Sequence, residues 1–249
     1  AAYTPTQNHV DEYGMQEGKT YDPKHPYDNR DYRFYANVLY DGCTFRNHVM
    51  DIHYTNRVAG EDLTPYGTST SAAVTLTGYY LGKFVDEAQT IDNNDTYASK
   101  QNYIIWRYAE ALLDYAEVCF RLGDTDKAKE YVNMIRKRVH MPELSTISWD
   151  NIFNERRVEM AFEETTYWDL FRWGIAKERM NGETNPLKGM RVDITMVNNQ
   201  VAATKYTISN VNRFPKRIRV FEDKQYYLPI PWSEIKYHGV KQNPEWTEQ

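Results

Sequence analysis

The sequence predicts a mainly α fold: amphipathic helices joined in pairs, with long irregular loops and one small β-hairpin. Three observations carry that expectation. Across residues 103–173 apolar side chains recur three and four apart, the period of helices that bury one face. Capping residues stand where such helices must stop and start. Further along, two alternating runs flank Asn198-Asn199, the pattern of a hairpin whose turn residues take positive φ.

In chain order, residues 1–30 are rich in Pro, Asn, Asp and Tyr and predict one short helix over 7–13. Asn29-Arg30-Asp31 starts a brief helix, and Val38-Leu39-Tyr40 reads as a strand ended by Asp41-Gly42. Residues 43–98 show no sustained helical period. Short strands are expected near 49–54 and 75–80, because so long a structureless stretch is unusual in a compact domain.

A first helix over 103–122 is expected to bury Ile105, Tyr108, Leu112, Tyr115, Cys119 and Leu122. Gly123 supplies a left-handed C-terminal cap, and Asp124 offers its carboxylate to the next helix's free N–H groups. That second helix aligns Ala128, Val132, Ile135 and Val139, and the short link makes the pair antiparallel. A third begins near Ser148 with Ile152, Phe153, Ala161 and Phe162 inward. A fourth covers 166–180 with Trp168, Leu170, Phe171 and Trp173, behind a threonine cap. The runs 191–197 and 201–208 form the hairpin. The tail 221–249, with Pro229, Pro231 and Pro244, is expected to be irregular and to lie across the helices. The organisation is thus a loop-rich part (1–98), a helical core (99–180) and a hairpin with tail (181–249).

Composition narrows the function. The 249 residues are 41% hydrophobic and 26% charged, enough for a packed core and unlike a disordered chain. A net charge of -5 argues against a nucleic-acid partner, which needs concentrated positive charge. Tyrosine is abundant, 21 against 9 Phe; its ring with a polar tip suits wet interfaces and sugar faces as well as cores. Of the two cysteines, Cys119 falls on the apolar helix face, and pairing with Cys43 is left open. No run of about 20 apolar residues is present to span a membrane.

Catalytic and metal motifs are mostly missing. Gly78-Tyr79-Tyr80-Leu81-Gly82-Lys83-Phe84 has the wrong spacing for a phosphate loop, and Phe84 stands where a magnesium-holding hydroxyl is needed. His48, Asp51 and His53 would need a fourth ligand from elsewhere, so no metal is assigned. Asp92-Asn93-Asn94-Asp95 lacks the glycine and distal glutamate of a calcium loop, and calcium is left open. Glu155, Arg156, Arg157, Glu159 and Glu163 have helical ion-pair spacing rather than that of two carboxylates across a cleft. No cofactor is expected.

Several motifs in order resemble the C-terminal half of the SusD/RagB proteins. They are Pro26-Tyr27-Asp28-Asn29-Arg30-Asp31-Tyr32-Arg33-Phe34, Thr77-Gly78-Tyr79-Tyr80, and Arg107-Tyr108-Ala109-Glu110. They continue with Glu155-Arg156-Arg157, Glu159-Met160-Ala161-Phe162-Glu163, Trp168-Asp169-Leu170-Phe171-Arg172-Trp173, Tyr227-Leu228-Pro229-Ile230-Pro231 and Asn243-Pro244-Glu245-Trp246. Tyr32 stands where proline is usual. The helix pairs also resemble tetratricopeptide repeats, through Tyr115-Ala116-Glu117, Gly123, Ala128 and Tyr131. An α-α superhelix is the architecture implied.

The resemblance implies a non-enzymatic outer-membrane lipoprotein of Bacteroidetes. Such a protein captures oligo- or polysaccharide and passes it to a SusC-like TonB-dependent transporter. Its only membrane attachment would be a lipid anchor upstream of this chain, which would be a fragment of a longer protein. A helical-repeat protein adaptor and a glycosidase are the competing classes. For sugar contact the sequence points to Phe45, Tyr54 and Tyr66, aromatic residues outside any helical period and flanked by Arg46 and Asn47, Thr55 and Asn56, and Thr64 and Gly67.

Overall fold

The computed structural model describes residues 4–55, 75–87, 101–211 and 218–247. Two compact units emerge, Ala1–Glu163 with Leu187–Val211, and Glu164–Pro186 with Asn212–Gln249. The first holds α1 (Gln7–Val10), α2 (Tyr32–Asn37), β1 (Val38–Leu39), β2 (Thr44–Phe45), β3 (His48–Val49), β4 (Tyr54–Thr55) and β5 (Tyr80–Leu81). It continues with α3 (Tyr108–Arg121), α4 (Thr125–Arg138) and α5 (Trp149–Glu159). The second unit has α6 (Thr165–Arg172) and α7 (Ala176–Met180). The chain then returns to the first unit for β6 (Lys188–Val197) and β7 (Gln200–Asn210), and closes in the second with a 3-10 turn over Asp223–Tyr226 and α8 (Trp232–His238). Among the described residues helices outweigh strands, and the sheets are small.

Capping follows the chemistry of the sequence. Gly123 takes φ 85°, and the Asp124 carboxylate accepts the Lys127 N–H at 3.2 Å. Ser148 and Asn151 form a reciprocal capping box at the start of α5, at 2.9 and 3.2 Å. Asp31 caps α2 by accepting from the Arg33 N–H at 2.9 Å.

In the first unit α5 is the spine. Its Ile152 packs with Ala116, Cys119, Ala128 and Val132 between α3 and α4. Met160, just past its end, meets Leu112, Leu113 and Ile135. Val158 faces a tyrosine-rich cluster of Tyr13, Tyr27, Phe34, Tyr79, Val192 and Ile194. Part of the tyrosine surplus is therefore structural: Tyr27 lies 4.6 Å from Tyr40 between ring centroids, and Tyr13 Oη accepts from Asn37 Nδ2 at 2.9 Å.

The hairpin pairs from Lys188↔Asn210 to Val197↔Gln200 around Asn198 and Asn199, at φ 50° and 60°. β4 adds to β6 in parallel, Tyr54 opposite Asp193. Segment 77–79 lies backbone to backbone on β6: Met190 N–H donates to the Thr77 carbonyl at 2.9 Å. Two glycines permit this approach. Gly78 takes φ 78° and a Cβ there would collide with the Met190 carbonyl oxygen, while a Cβ on Gly189 would lie 2.8 Å from Thr77 Cα. This contact holds against β6 the segment that leads into β5, whose residues form one wall of the cleft described below.

Four expectations need correction. The first helix starts at Tyr108 rather than at 103, because Arg107 is held extended, at φ -148°. Its buried stripe is Ala109, Leu112, Leu113, Ala116 and Cys119. Tyr108, Tyr115 and Leu122 face outward, at 68%, 44% and 81% exposure, and Ile105 is exposed ahead of the helix. Small residues let α4 and α5 approach closely, so Ala109 and Ala116 choose the phase. The fourth helix is two, α6 and α7, with Gly174 between them. Its N-cap is Glu164, in the left-handed region at φ 63°, so Thr165 is already helical and caps nothing. The tail is more regular than expected: Pro231 serves as N-cap of α8, where its missing N–H costs nothing. In the second unit Phe221 and Tyr226 each lie 5.6 Å from Phe171, which ties the tail to α6.

Candidate functional site

The residues of the strongest motifs converge on one buried ion network in the first unit. Glu155 and Glu159 lie one turn apart on α5, both side chains 2% exposed. Arg33 of α2 bonds Asp31 at 2.6 Å, Glu155 at 2.7 Å and Glu159 at 3.0 Å. From the end of α4, Arg136 reaches Glu155 at 2.8 Å and Arg138 reaches Glu159 at 2.6 Å. Arg107 joins Glu159 and Glu163, both at 2.7 Å, and Lys83 also bonds Glu163. The expected ion pairs thus form, but not along one helix. Glu155 and Glu159 take partners from other elements, while Arg156 reaches Asp114 and Arg157 reaches Glu12. Asp169 and Arg172, three residues apart, do pair within their helix, at 2.8 Å. A cavity of about 590 Å³ adjoins the network, lined by Tyr32, Lys83, Arg107, Arg138 and His140 among others. Its charges are engaged with one another, which suits tying α2, α3, α4 and α5 together.

Burial pushes the Glu159 and Glu163 carboxyls up. The hydrogen bonds from Arg107 and, for Glu163, Lys83, with the surrounding cations, outweigh it and hold both below the usual range. A depressed native value contributes stability above the unfolded pKa, about 4.3 for Glu, and loses it as pH falls through the native values. The melting temperature is expected to drop as pH falls from about 4.3, and a Glu163→Gln variant to show a shallower drop. A melt that holds level from neutral pH to about pH 3 would contradict this.

The surface suited to a small ligand is elsewhere in the same unit. β2 and β3 pair antiparallel, Phe45 opposite His48, around Arg46 and Asn47 at φ 49° and 62°. Between this hairpin and β5 lies a cleft of about 380 Å³, lined by Leu39, Phe45, Arg46, Met50, Asp51, Ile52, Tyr80, Leu81 and Val85. Phe45 is half-buried, and the Arg46 guanidinium stands 5.2 Å from its ring centroid. Arg46 Nη2 donates to the Asp86 carbonyl at 2.9 Å. The cleft combines an aromatic ring, aliphatic walls, a guanidinium and a carboxylate.

Of the three aromatic residues read from the sequence, Phe45 lines this cleft. Tyr54 lies in β4, and Tyr66 falls outside the described residues, as do Asp92 and Asp95. Arg46 and Asp51 were legible only as a neighbour of Phe45 and as a weak metal ligand; the Arg46-Asn47 turn pair was the signal for the hairpin that presents them. His53 pairs with Asp41 at 2.8 Å, away from His48. Among the described residues no three His, Cys, Asp or Glu side chains converge as metal ligands, and no helix is long and apolar enough to cross a membrane. Both cysteines are free, Cys119 buried and Cys43 half-buried, its Sγ accepting from the Tyr40 N–H at 3.3 Å.

A sequence model of the SusD family matches residues 1–246. The chain belongs to the SusD family. Its fold superposes on the crystal structure of a SusD-like protein of Bacteroides fragilis with a TM-score of 0.73 and 29% identity, covering 97% of this chain and 46% of that one. A second, described as a SusD-like carbohydrate-binding protein of the same organism, gives 0.58 and 25%, over 74% of this chain and 37% of that one. A SusD-like protein of Bacteroides ovatus is 30% identical over 112 residues, 41% of this chain and 20% of the relative. The chain thus spans about half or less of the SusD-like proteins it matches. Within it, the motif residues Arg33, Arg107, Glu155, Glu159 and Glu163 are the buried network, and Trp168–Trp173 is α6 with its C-cap.

Proposed function

We propose that the chain is part of a cell-surface protein that binds oligo- or polysaccharide without cleaving it. The observation that carries this reading is membership of the SusD family over residues 1–246, beside a solved relative described as carbohydrate-binding. In this reading a longer protein, held at the outer membrane by an upstream lipid anchor, passes glycan to a partner TonB-dependent transporter. The α3–α4 pair belongs to a tetratricopeptide-like superhelix. Phe45 supplies an aromatic face for the apolar side of a pyranose ring, as Tyr54 and Tyr66 would in the same loop-rich part. Catalysis is disfavoured because the conspicuous carboxylates are committed: Glu159 and Glu163 are held ionised, and an ionised carboxylate cannot protonate a leaving group.

Affinity electrophoresis on a panel of polysaccharide gels tests the reading. Wild type is expected to be retarded by at least one polysaccharide, and Phe45→Ala to bind it roughly tenfold more weakly with little change in melt. Release of reducing sugar by wild type, lost in Glu159→Gln, would instead establish a glycosidase. A second reading, a helical adaptor for a protein, is favoured by the outward stripe Tyr108, Tyr115, Val118 and Leu122 on α3. It predicts no glycan retardation and a protein complex lost on charging that stripe.

A further inference from the structure

The cleft at the β2–β3 hairpin contains two opposite charges that do not pair with each other. The Arg46 Nε–H is buried and has no acceptor among the described residues. Among the described residues the guanidinium meets the Asp86 carbonyl, through Nη2, and the Phe45 ring. Asp51, lining the same cleft, is exposed, and its carboxylate makes no hydrogen bond or ion pair among the described residues. An unsatisfied buried donor is costly and is rarely retained in a fold. Arg46 is also held at φ 49°, where asparagine or glycine sits with less strain. Among the described residues the hairpin therefore keeps a strained, under-bonded arginine in the same cleft as an unpaired carboxylate.

The two groups together select a ligand class. A guanidinium only donates and an ionised carboxylate only accepts, whereas a hydroxyl does both. A uronate or sulfate would satisfy Arg46 and bring its charge against Asp51, with Asp86 and Glu87 following β5. An ammonium group would satisfy Asp51 and be repelled by Arg46. The remaining wall, Leu39, Ile52 and Leu81 with Phe45, suits the C–H face of a sugar ring, and about 380 Å³ is at the small end for a ligand site. Resting on the glycan-binding reading above, we propose that this cleft is a subsite for an uncharged pyranose. The Arg46 guanidinium donates through its accessible N–H groups to a ring or hydroxyl oxygen, and Asp51 accepts from a hydroxyl.

The test titrates the full chain with laminarin, xyloglucan and galactomannan, each beside its carboxymethylated form. At least one neutral polymer is expected to bind, and its carboxymethylated form to bind roughly tenfold more weakly. Arg46→Lys keeps the charge but loses the planar set of guanidinium donors, and is expected to bind the neutral polymer roughly tenfold more weakly. Asp51→Asn is expected to narrow the gap between neutral and carboxymethylated forms. Should Arg46→Lys fold poorly, Asp51→Asn alone decides, because an exposed side chain is replaced by its isostere. Neutral binding that neither substitution alters, or a preference for the carboxymethylated polymers, overturns the subsite while leaving glycan binding intact. Wild type bound by no polymer of either series overturns both readings.

Discussion

Arg33→Met is expected to destabilise the first unit by about 3–5 kcal/mol. Arg33 is the one cation that joins Asp31, Glu155 and Glu159. Its removal leaves those three carboxylates buried together, and each must be desolvated with less compensation. Arg136, Arg138 and Arg107 still reach two of them, so the loss falls short of a bare buried charge. Arg33→Lys should fall between: a lysine retains the charge but not a planar fork able to hold several carboxylates. Urea unfolding gives the measurement. A melting shift below about 2 °C for Arg33→Met would mean that the network is a consequence of packing and does not hold the helices.

Leu113→Ala is expected to lose about 3–5 kcal/mol, whereas Tyr115→Ala, two residues on, loses about 1 kcal/mol. Leu113 is fully buried, in a cluster with Leu112, Ile135 and Met160 whose helix backbones cannot close the cavity it would leave. Tyr115 is 44% exposed and contributes mainly an edge contact to Tyr131 at 4.7 Å between centroids. The contrast tests the phase of α3 directly. Equal losses, or a larger one for Tyr115, would restore the phase that the sequence suggested.

That phase shows where sequence reading ran out. Apolar residues cover more than half the circumference of α3: Tyr108, Ala109, Leu112, Leu113, Tyr115, Ala116, Val118, Cys119 and Leu122. Periodicity then guarantees a helix and leaves its orientation undecided. α4 was easier, because its charged face leaves a single stripe, and Ala128, Val132 and Ile135 are buried as spaced.

The sequence by itself determined what depends on neighbours along the chain. Gly123 and Asp124 ended one helix and began the next, Ser148 with Asn151 opened a third, and Asn198-Asn199 turned the hairpin; each acts through its own backbone φ or a hydrogen bond three residues away. The ordered motifs likewise carried the family, since they are strings of residues. Tertiary structure alone decided which cation meets which carboxylate. Glu155 and Arg33 are 122 residues apart, and no spacing rule reaches that far. It also decided that Arg46 and Asp51 line one cleft without pairing, because the β2–β3 hairpin and β5, well separated in sequence, meet there. Charge and residue type are written in the chain, but whether a charge is spent on a neighbour or left for a ligand depends on the approach of segments distant in sequence.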